Sequence, residues 1–298
     1  MKILLGNFAG AHSNLGKFLT WCLIKKPEDK IFFLYWNKGA LNDNPEVWPI
    51  QECPKEANKN FFYKYFEFPK ETPYTDYLTP DLCILNYPCF LNEPHKSLFP
   101  LSLYPKELHP HNGFVFTSKA LADPNFQEIR TIFHSVWNSC LKPTPYFLEL
   151  MQKDITTVLE YIQKGRVLCV MLRYPGHFTG EFDVDSTFLQ IKETMKSFDF
   201  ILPITQQEPF YIKILEEYGN QCIQLDRKRL PYNRDWTSIS YTDAQFEEEF
   251  HVAVKDSYLA SMCHTIMGGS SGLFFSALFI NPTANMIIFD SMKTKDAY

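Results

Sequence analysis

Short apolar runs recur along the chain, each pair separated by room for one amphipathic segment. Lys2-Ile-Leu-Leu5 predicts a first strand. It leads into a loop with two glycines, Gly6 to Asn14, and then a helical pattern from Leu15 to about Lys25 that Ser13 or Asn14 can cap. Lys30-Ile-Phe-Phe-Leu-Tyr-Trp36 predicts a second strand. Residues 37–80 are irregular and rich in Pro, Asn, Lys and aromatics. Strands are expected again at Asp81–Leu85 and Gly113–Thr117, and a helix from Asn125 to about Cys140.

A second periodic block begins at Lys142-Pro-Thr-Pro145. Thr144 is placed to cap a helix with Pro145 as its first residue, running to about Gln163 and ended by Gly165. The order then predicts a strand over 166–173, a helix over 184–197 and a strand over 198–203. A helix over 209–218 follows, stopped by Gly219, and then a strand over 221–225. Apolar positions 246, 250, 254, 258 and 262 mark an amphipathic helix. A strand at Thr265–Met267, a helix after Gly272 and a strand at 286–289 close the chain. Strands alternating with helices imply a mainly parallel α/β architecture. The two blocks predict two Rossmann-like domains, residues 1–142 and 143–298, with their sheets facing a cleft. The first loop lacks the G-x-G-x-x-G fingerprint.

Composition narrows the function. The 298 residues are 45% hydrophobic and carry a net charge of −5, a balance that argues against a nucleic-acid partner. None of the eight cysteines stands in Cys-x-x-Cys spacing, which disfavours a structural metal site and suits free thiols in a reducing compartment. The first apolar run is too short for a signal peptide. No stretch approaches the roughly 18 apolar residues of a membrane span. These features predict a cytoplasmic protein without a transmembrane segment, and leave peripheral membrane contact through aromatic loops open.

The segment with the most chemistry is Thr265–Ile280: a buried strand, a Gly-Ser turn and an apolar helix. Such a turn aims free N–H groups at a helix N-terminus, where an anion binds. Gly268, Gly269 and Gly272 would let the backbone approach a ligand, with Ser270 and Ser271 beside them. The turn also fits G-x-S-x-G, with Ser270 as nucleophile. Hydrolases with that elbow carry their His later in the chain, whereas the last histidine here is His264. A tight turn that binds nothing is the plainer alternative.

Arg173 directly follows the apolar strand 166–172, at the strand end where open α/β sheets bind ligands, and guanidinium suits phosphate. After the loop Tyr174–Gly180 come Glu181, Asp183 and Asp185. They can supply a general base or hold a cation, or cap the next helix, a role that fits Asp185 best. His177 is an acid, a base, a phosphate contact, or a loop histidine with no chemistry.

With these residues in place, the second half resembles the GT-B fucosyltransferase superfamily, which includes α1,6-, nodulation and protein O-fucosyltransferases. Its members carry a strand ending in His-x-Arg-Arg, and Met171-Leu-Arg-Tyr174 stands at that place. The resemblance implies that Arg173 contacts the donor diphosphate and that Glu181, about eight residues on, is the base. Ile201–Gly219 matches a second family segment and Asp256–Leu273 a third, in which Ser270 and Ser271 fall where phosphate oxygens are held. The chain departs from the pattern at Met171, which replaces a base-holding histidine. It departs again at Tyr174, which replaces an arginine, and at Thr205-Gln206-Gln207, which replace an acidic segment.

The resemblance thus implies an inverting transferase of GT-B fold that moves a sugar, fucose from GDP-fucose, to a glycan or other hydroxyl acceptor. It needs neither metal nor cofactor. Donor contacts are expected from Arg173, His177, Thr205, Gln206, Gly269, Ser270, Ser271 and Gly272. Asn7, His12 and Asn14 are the acceptor-side or cleft residues. Another nucleotide sugar, or nucleotide-sugar binding without catalysis, remains the alternative.

Overall fold

A computed structural model describes residues 2–5, 15, 16, 19, 22, 30–33, 62–67, 82–85, 126–172, 183–227, 229, 243–269 and 271–290. The expected strand at 113–117 lies outside them, as do residues 34–36 of the second strand.

Near the N-terminus, β1 (Lys2–Leu5) lies between β2 (Lys30–Phe33) and β4 (Leu82–Leu85). Both pair with it in parallel, Lys2 opposite Lys30 and Leu82. Leu15, Gly16, Leu19 and Cys22 are helical, in keeping with the helix expected there.

The second parallel sheet contains β6 (Val167–Leu172), β7 (Phe200–Thr205), β8 (Thr265–Gly268) and β9 (Asn285–Ile288), in the order β7-β6-β8-β9. All six residues of β6 are buried, as a strand covered on both faces requires. Its side chains alternate between two cores. Val167, Cys169 and Met171 join one with the helices α6 (Asp243–Ser261) and α7 (Gly272–Ile280). Leu168, Val170 and Leu172 join the other, with Ile191 of α4 (Val184–Met195) and Phe210 and Ile214 of α5 (Glu208–Tyr218). Helix α7 is apolar on every side because every side is covered: Gly272 through Phe279 are all buried.

Two more helices complete the packing. In α3 (Pro145–Ile162) the hydroxyl of Thr144 accepts from Phe147 N at 3.2 Å and Pro145 opens the helix, as expected. Helix α2 (Phe126–Cys140) lies against α7, Phe133 stacking on Phe279 with ring centroids 4.7 Å apart. Arg130 donates to the carbonyls of Asn281 at 3.2 Å and Ala284 at 2.6 Å, satisfying acceptors just past the end of α7. Between α2 and α3, β5 (Lys142–Pro143) pairs antiparallel with β3 (Phe66–Glu67), which follows the short helix α1 (Phe62–Tyr65). This pairing seats Tyr65 and Phe66 against Phe147.

Three local expectations change. Residues 221–225 do not form a strand: Gly219–Gln221 is a 3-10 turn, and only Cys222 bridges to Ile201 of β7, in parallel. Arg227 is held by carboxylates on two helices, which draws the chain off the sheet edge. The cap of α4 is Asp183, whose Oδ1 accepts from Asp185 N at 3.0 Å and Ser186 N at 3.1 Å, while Asp185 lies 3.3 Å from Lys213. Strand β7 runs to Thr205, two residues beyond the expected end. Gly219, at φ +50°, ends α5 as anticipated.

Candidate functional site

With the Cys222 bridge beside β7, the lateral order is 222, β7, β6, β8, β9. The chain starts at β6, steps outward on one side, then crosses to the other. Ligands of open α/β sheets bind outside the carboxyl ends of the strands at such a reversal. The registers make those ends level: Leu172 pairs with Thr205, and Val170 with Met267, one residue before Gly268. Adjacent strands lie about 4.8 Å apart, which puts the ends of β7 and β8 about 10 Å apart across β6.

After β8, Gly269, Ser271 and Gly272 are buried at the N-terminus of α7. The Ser271 hydroxyl accepts from Phe274 N at 3.3 Å, so its oxygen caps the helix while its proton stays available to donate. Gly268 answers a different need from the one expected. A Cβ there would sit 2.9 Å from Phe274 Cδ2 and 3.3 Å from Met171 Cβ, so the glycine serves helix-on-strand packing. Met171, which the resemblance sets against a histidine, is only 3% exposed and belongs to the core.

At the end of β7, Thr205 Oγ1 accepts from Gln207 N at 3.0 Å, which turns the chain into α5 and leaves Gln206 exposed. Thr205 and Gln206 edge a cleft whose enclosed part holds about 10 Å³, room for one water. Pro203, Ile204, Leu225 and Val252 are its apolar wall; Arg227 and Asp256 complete the polar one.

Behind that wall four charges are buried together. Arg227 donates from Nη1 to Asp154 Oδ2 at 2.9 Å, and from Nε and Nη2 to Asp256 Oδ1 at 3.2 and 3.0 Å. Lys255 Nζ lies 2.7 Å from the same Asp154 oxygen. Burial pushes the Asp154 carboxyl up, but hydrogen bonds from Lys255 and Arg227 outweigh it and hold the group below the usual carboxylate range. Burial pushes Asp256 up further than Arg227 can offset, leaving it above that range. Arg227 is raised: the two aspartates more than offset its own burial. Close by, Arg229 stacks 3.4 Å over the Tyr211 ring, and Gln207 Oε1 is buried without a hydrogen bond from any described residue.

The structure thus sets Thr205, Gln206, Gly269, Ser271 and Gly272 along one rim of the sheet. Arg173, His177, Glu181, Ser270, Asn7, His12 and Asn14 lie outside the described residues. Asp154, Arg227 and Lys255 had no place in the sequence reading. The signal for Asp154 was a carboxylate in the stripe Phe147, Met151, Val158, all buried on α3. Among the described residues, no group of three or more His, Cys, Asp or Glu is placed to hold a metal ion, and no helix is long and apolar enough to cross a membrane.

No protein-family model matches the chain, and no curated protein matches its sequence. Solved structures do match. The structure of NodZ α-1,6-fucosyltransferase soaked with GDP-fucose aligns over 98% of this chain and 96% of that one, with a TM-score of 0.51 at 11% identity. Fucosyltransferase NodZ from Bradyrhizobium aligns over 97% and 95%, also at 0.51 and 11%. The fold resembles that of the NodZ-type, GT-B fucosyltransferases. At this identity the likeness is one of fold, and it spans nearly the full length of both chains. In the NodZ-like α/β frame of this chain, the described site residues gather at the carboxyl ends of β7 and β8.

Proposed function

We propose that the protein is a GT-B glycosyltransferase that moves a sugar from a nucleoside-diphosphate donor to a hydroxyl acceptor, with inversion and without a metal. The donor side is residues 143–298 and the acceptor side 1–142, each a Rossmann-like unit. The observation that carries this reading is the reversal of strand order between β6 and β8. The strand that ends just before Arg173 runs beside the strand that ends just before the Gly-Ser turn. The fold likeness to NodZ supports fucose from GDP-fucose as the leading donor.

When the glycosidic bond to the diphosphate breaks, negative charge builds on the leaving group and positive charge on the sugar. Preorganised donors aimed at the leaving group are then the largest catalytic contribution. In this reading Arg173 and the N–H groups of Gly269 to Gly272 take the diphosphate at the N-terminus of α7, with Ser270, Ser271 and His177 as further contacts. Glu181 takes the acceptor's proton as its oxygen attacks the anomeric carbon from the opposite face. Asn7, His12 and Asn14 face the acceptor. Thr205 and Gln206 meet the nucleoside end of the donor, one strand further along the rim.

Calorimetry with a panel of nucleoside diphosphates tests this. One of them should bind and, at a hundredfold excess over its Kd, stabilise the fold by about 2.7 kcal/mol. Failure of every member to bind overturns the reading. The identity of the best binder also tests a second reading, a donor with another base. The buried Met171 and the uncharged Thr205-Gln206 pair favour that reading, since neither supplies the family's base contacts. If Glu181 is the base, Glu181→Gln should lower kcat at least a hundredfold with little change in donor affinity. An effect on KM alone removes Glu181 from that role.

A further inference from the structure

Helix α7 is held at its far end by one face of α2. Gln127, Arg130 and His134, at i, i+3 and i+7, all reach carbonyls at or just past the last turn of α7. The His134 ring donates from Nδ1 to Phe279 O at 2.9 Å, and Gln127 Nε2 donates to Pro282 O at 2.8 Å. Between them Arg130 donates from Nη2 to Asn281 O and Ala284 O.

Arg130 stands apart from the other two. It is 6% exposed, and the side chain it meets is neutral: Nη1 donates to Gln127 Oε1 at 3.1 Å. Among the described residues no carboxylate pairs with it, and its Nε is buried without a hydrogen-bond partner. Burial lowers its pKa to about 10, so it stays charged at neutral pH. A buried cation without an anion is costly. What offsets the cost is the negative pole of α7, about half a charge spread over its last carbonyls. Satisfying carbonyls needs no charge, since the Gln127 amide does the same for Pro282.

The nine residues of α7 span about 14 Å, and the other end is the Gly-Ser turn. In a free helix, an anion at the N-terminus is attracted by the near pole and repelled by the far one. Arg130 reverses the far pole, turning about −0.5 of a charge into about +0.5. Gly272 through Phe279 are all buried, so protein fills the path between the two ends and salt screens it weakly.

We propose that Arg130 is a positioning residue for the donor's diphosphate: it touches no ligand, and from the buried end of α7 it makes the whole helix attract the anion at the Gly-Ser turn. This rests on the transferase reading above. At about 16 Å and an effective dielectric constant of about 20, its charge tightens binding about fivefold per unit of ligand charge. A diphosphate therefore gains about tenfold or more.

The test measures, by calorimetry, the nucleoside diphosphate that wild type binds most tightly in the panel above. Arg130→Met should weaken that binding at least tenfold. Arg130→Lys keeps the charge and loses the fork, and should stay within about threefold of wild type. Gln127→Glu is the sharper variant. Its position is exposed, it keeps the oxygen that accepts from Arg130, and it adds a negative charge beside the guanidinium. It should weaken binding at least threefold while the melting temperature holds or rises. It also decides the matter if Arg130→Met does not fold. A purely structural role for Arg130 predicts no rescue by lysine and wild-type affinity in Gln127→Glu; either result overturns the proposal while the donor site stands. Failure of wild type to bind any nucleoside diphosphate removes the transferase reading and this inference with it.

Discussion

Replacing Asp154 with alanine should destabilise the protein by about 3–5 kcal/mol, the loss typical of removing one partner from a buried ion pair. That is a large part of the 5–15 kcal/mol that holds an ordinary domain together. The reason is what remains. Lys255, with its side chain 11% exposed, would lose its carboxylate partner, and Arg227, 8% exposed, would lose one of its two. Asp256 hydrogen-bonds Arg227 through one oxygen and makes no hydrogen bond to Lys255, so it replaces Asp154 for neither cation in full.

The effect has a pH signature. The carboxyl of Asp154 titrates below its usual range in the folded protein, so its stabilising contribution is complete above the unfolded value of about 3.9 and fades as pH falls through the folded value. Asp256 carries the opposite sign, its raised carboxyl favouring the folded state as it takes up a proton. The difference between wild type and Asp154→Ala should therefore be full at pH 7 and shrink below about pH 4. Urea melts at both pH values measure it. A loss at pH 7 of under 1 kcal/mol would show that the four charges are not coupled as the distances imply. Lys192 and Glu217 make an equally short contact, 2.6 Å, but in solvent, and breaking it should change stability little.

Most of the second sheet was legible from the sequence because its signals are local. Val167-Leu-Cys-Val-Met-Leu172 has no polar residue to offer solvent, so it had to be covered on both faces. Thr144-Pro145 and Gly219 mark a helix start and a helix stop through backbone geometry alone. The apolar run after Gly272 had to be an interior helix. What the sequence concealed depends on residues far apart in the chain. Gln221–Leu225 has a strand's composition, yet Arg227 is pulled toward Asp154 and Asp256, and no local pattern announces that pull. Asp183 and Asp185 are equally good caps by type, and only the point where the first turn begins decides that Asp183 accepts from Asp185 N and Ser186 N. Gly268 looked like a ligand-approach glycine because the Phe274 ring it accommodates lies six residues on and the Met171 it abuts is on another strand.

In the proposed transferase, Arg173 is the residue whose loss should weigh most on activity. The preceding residue, Leu172, is 1% exposed and paired to Thr205, so the end of β6 is fixed in the middle of the rim. On one side is the end of β7 and its cleft. On the other is Gly268, after which Gly269, Ser271 and Gly272 open α7. A guanidinium carried from that central position adds a full charge and a two-pronged donor to the partial charge of a helix end. Its value should be greatest when the diphosphate is leaving, because negative charge on the bridging oxygen grows only then. Arg173→Ala should thus reduce kcat by about 10²–10³, or about 3–4 kcal/mol of barrier, with transfer assayed in EDTA. Donor affinity should fall less than kcat, since the bound diphosphate carries less charge than the departing one. Stability should stay within about 0.5 kcal/mol, as for a polar side chain outside the core. Arg173→Lys should recover part of the rate, keeping the charge without the fork. An alanine variant with wild-type turnover would mean that the diphosphate is neutralised from elsewhere on the rim, and the reading of this sheet end as a donor site would fall with it.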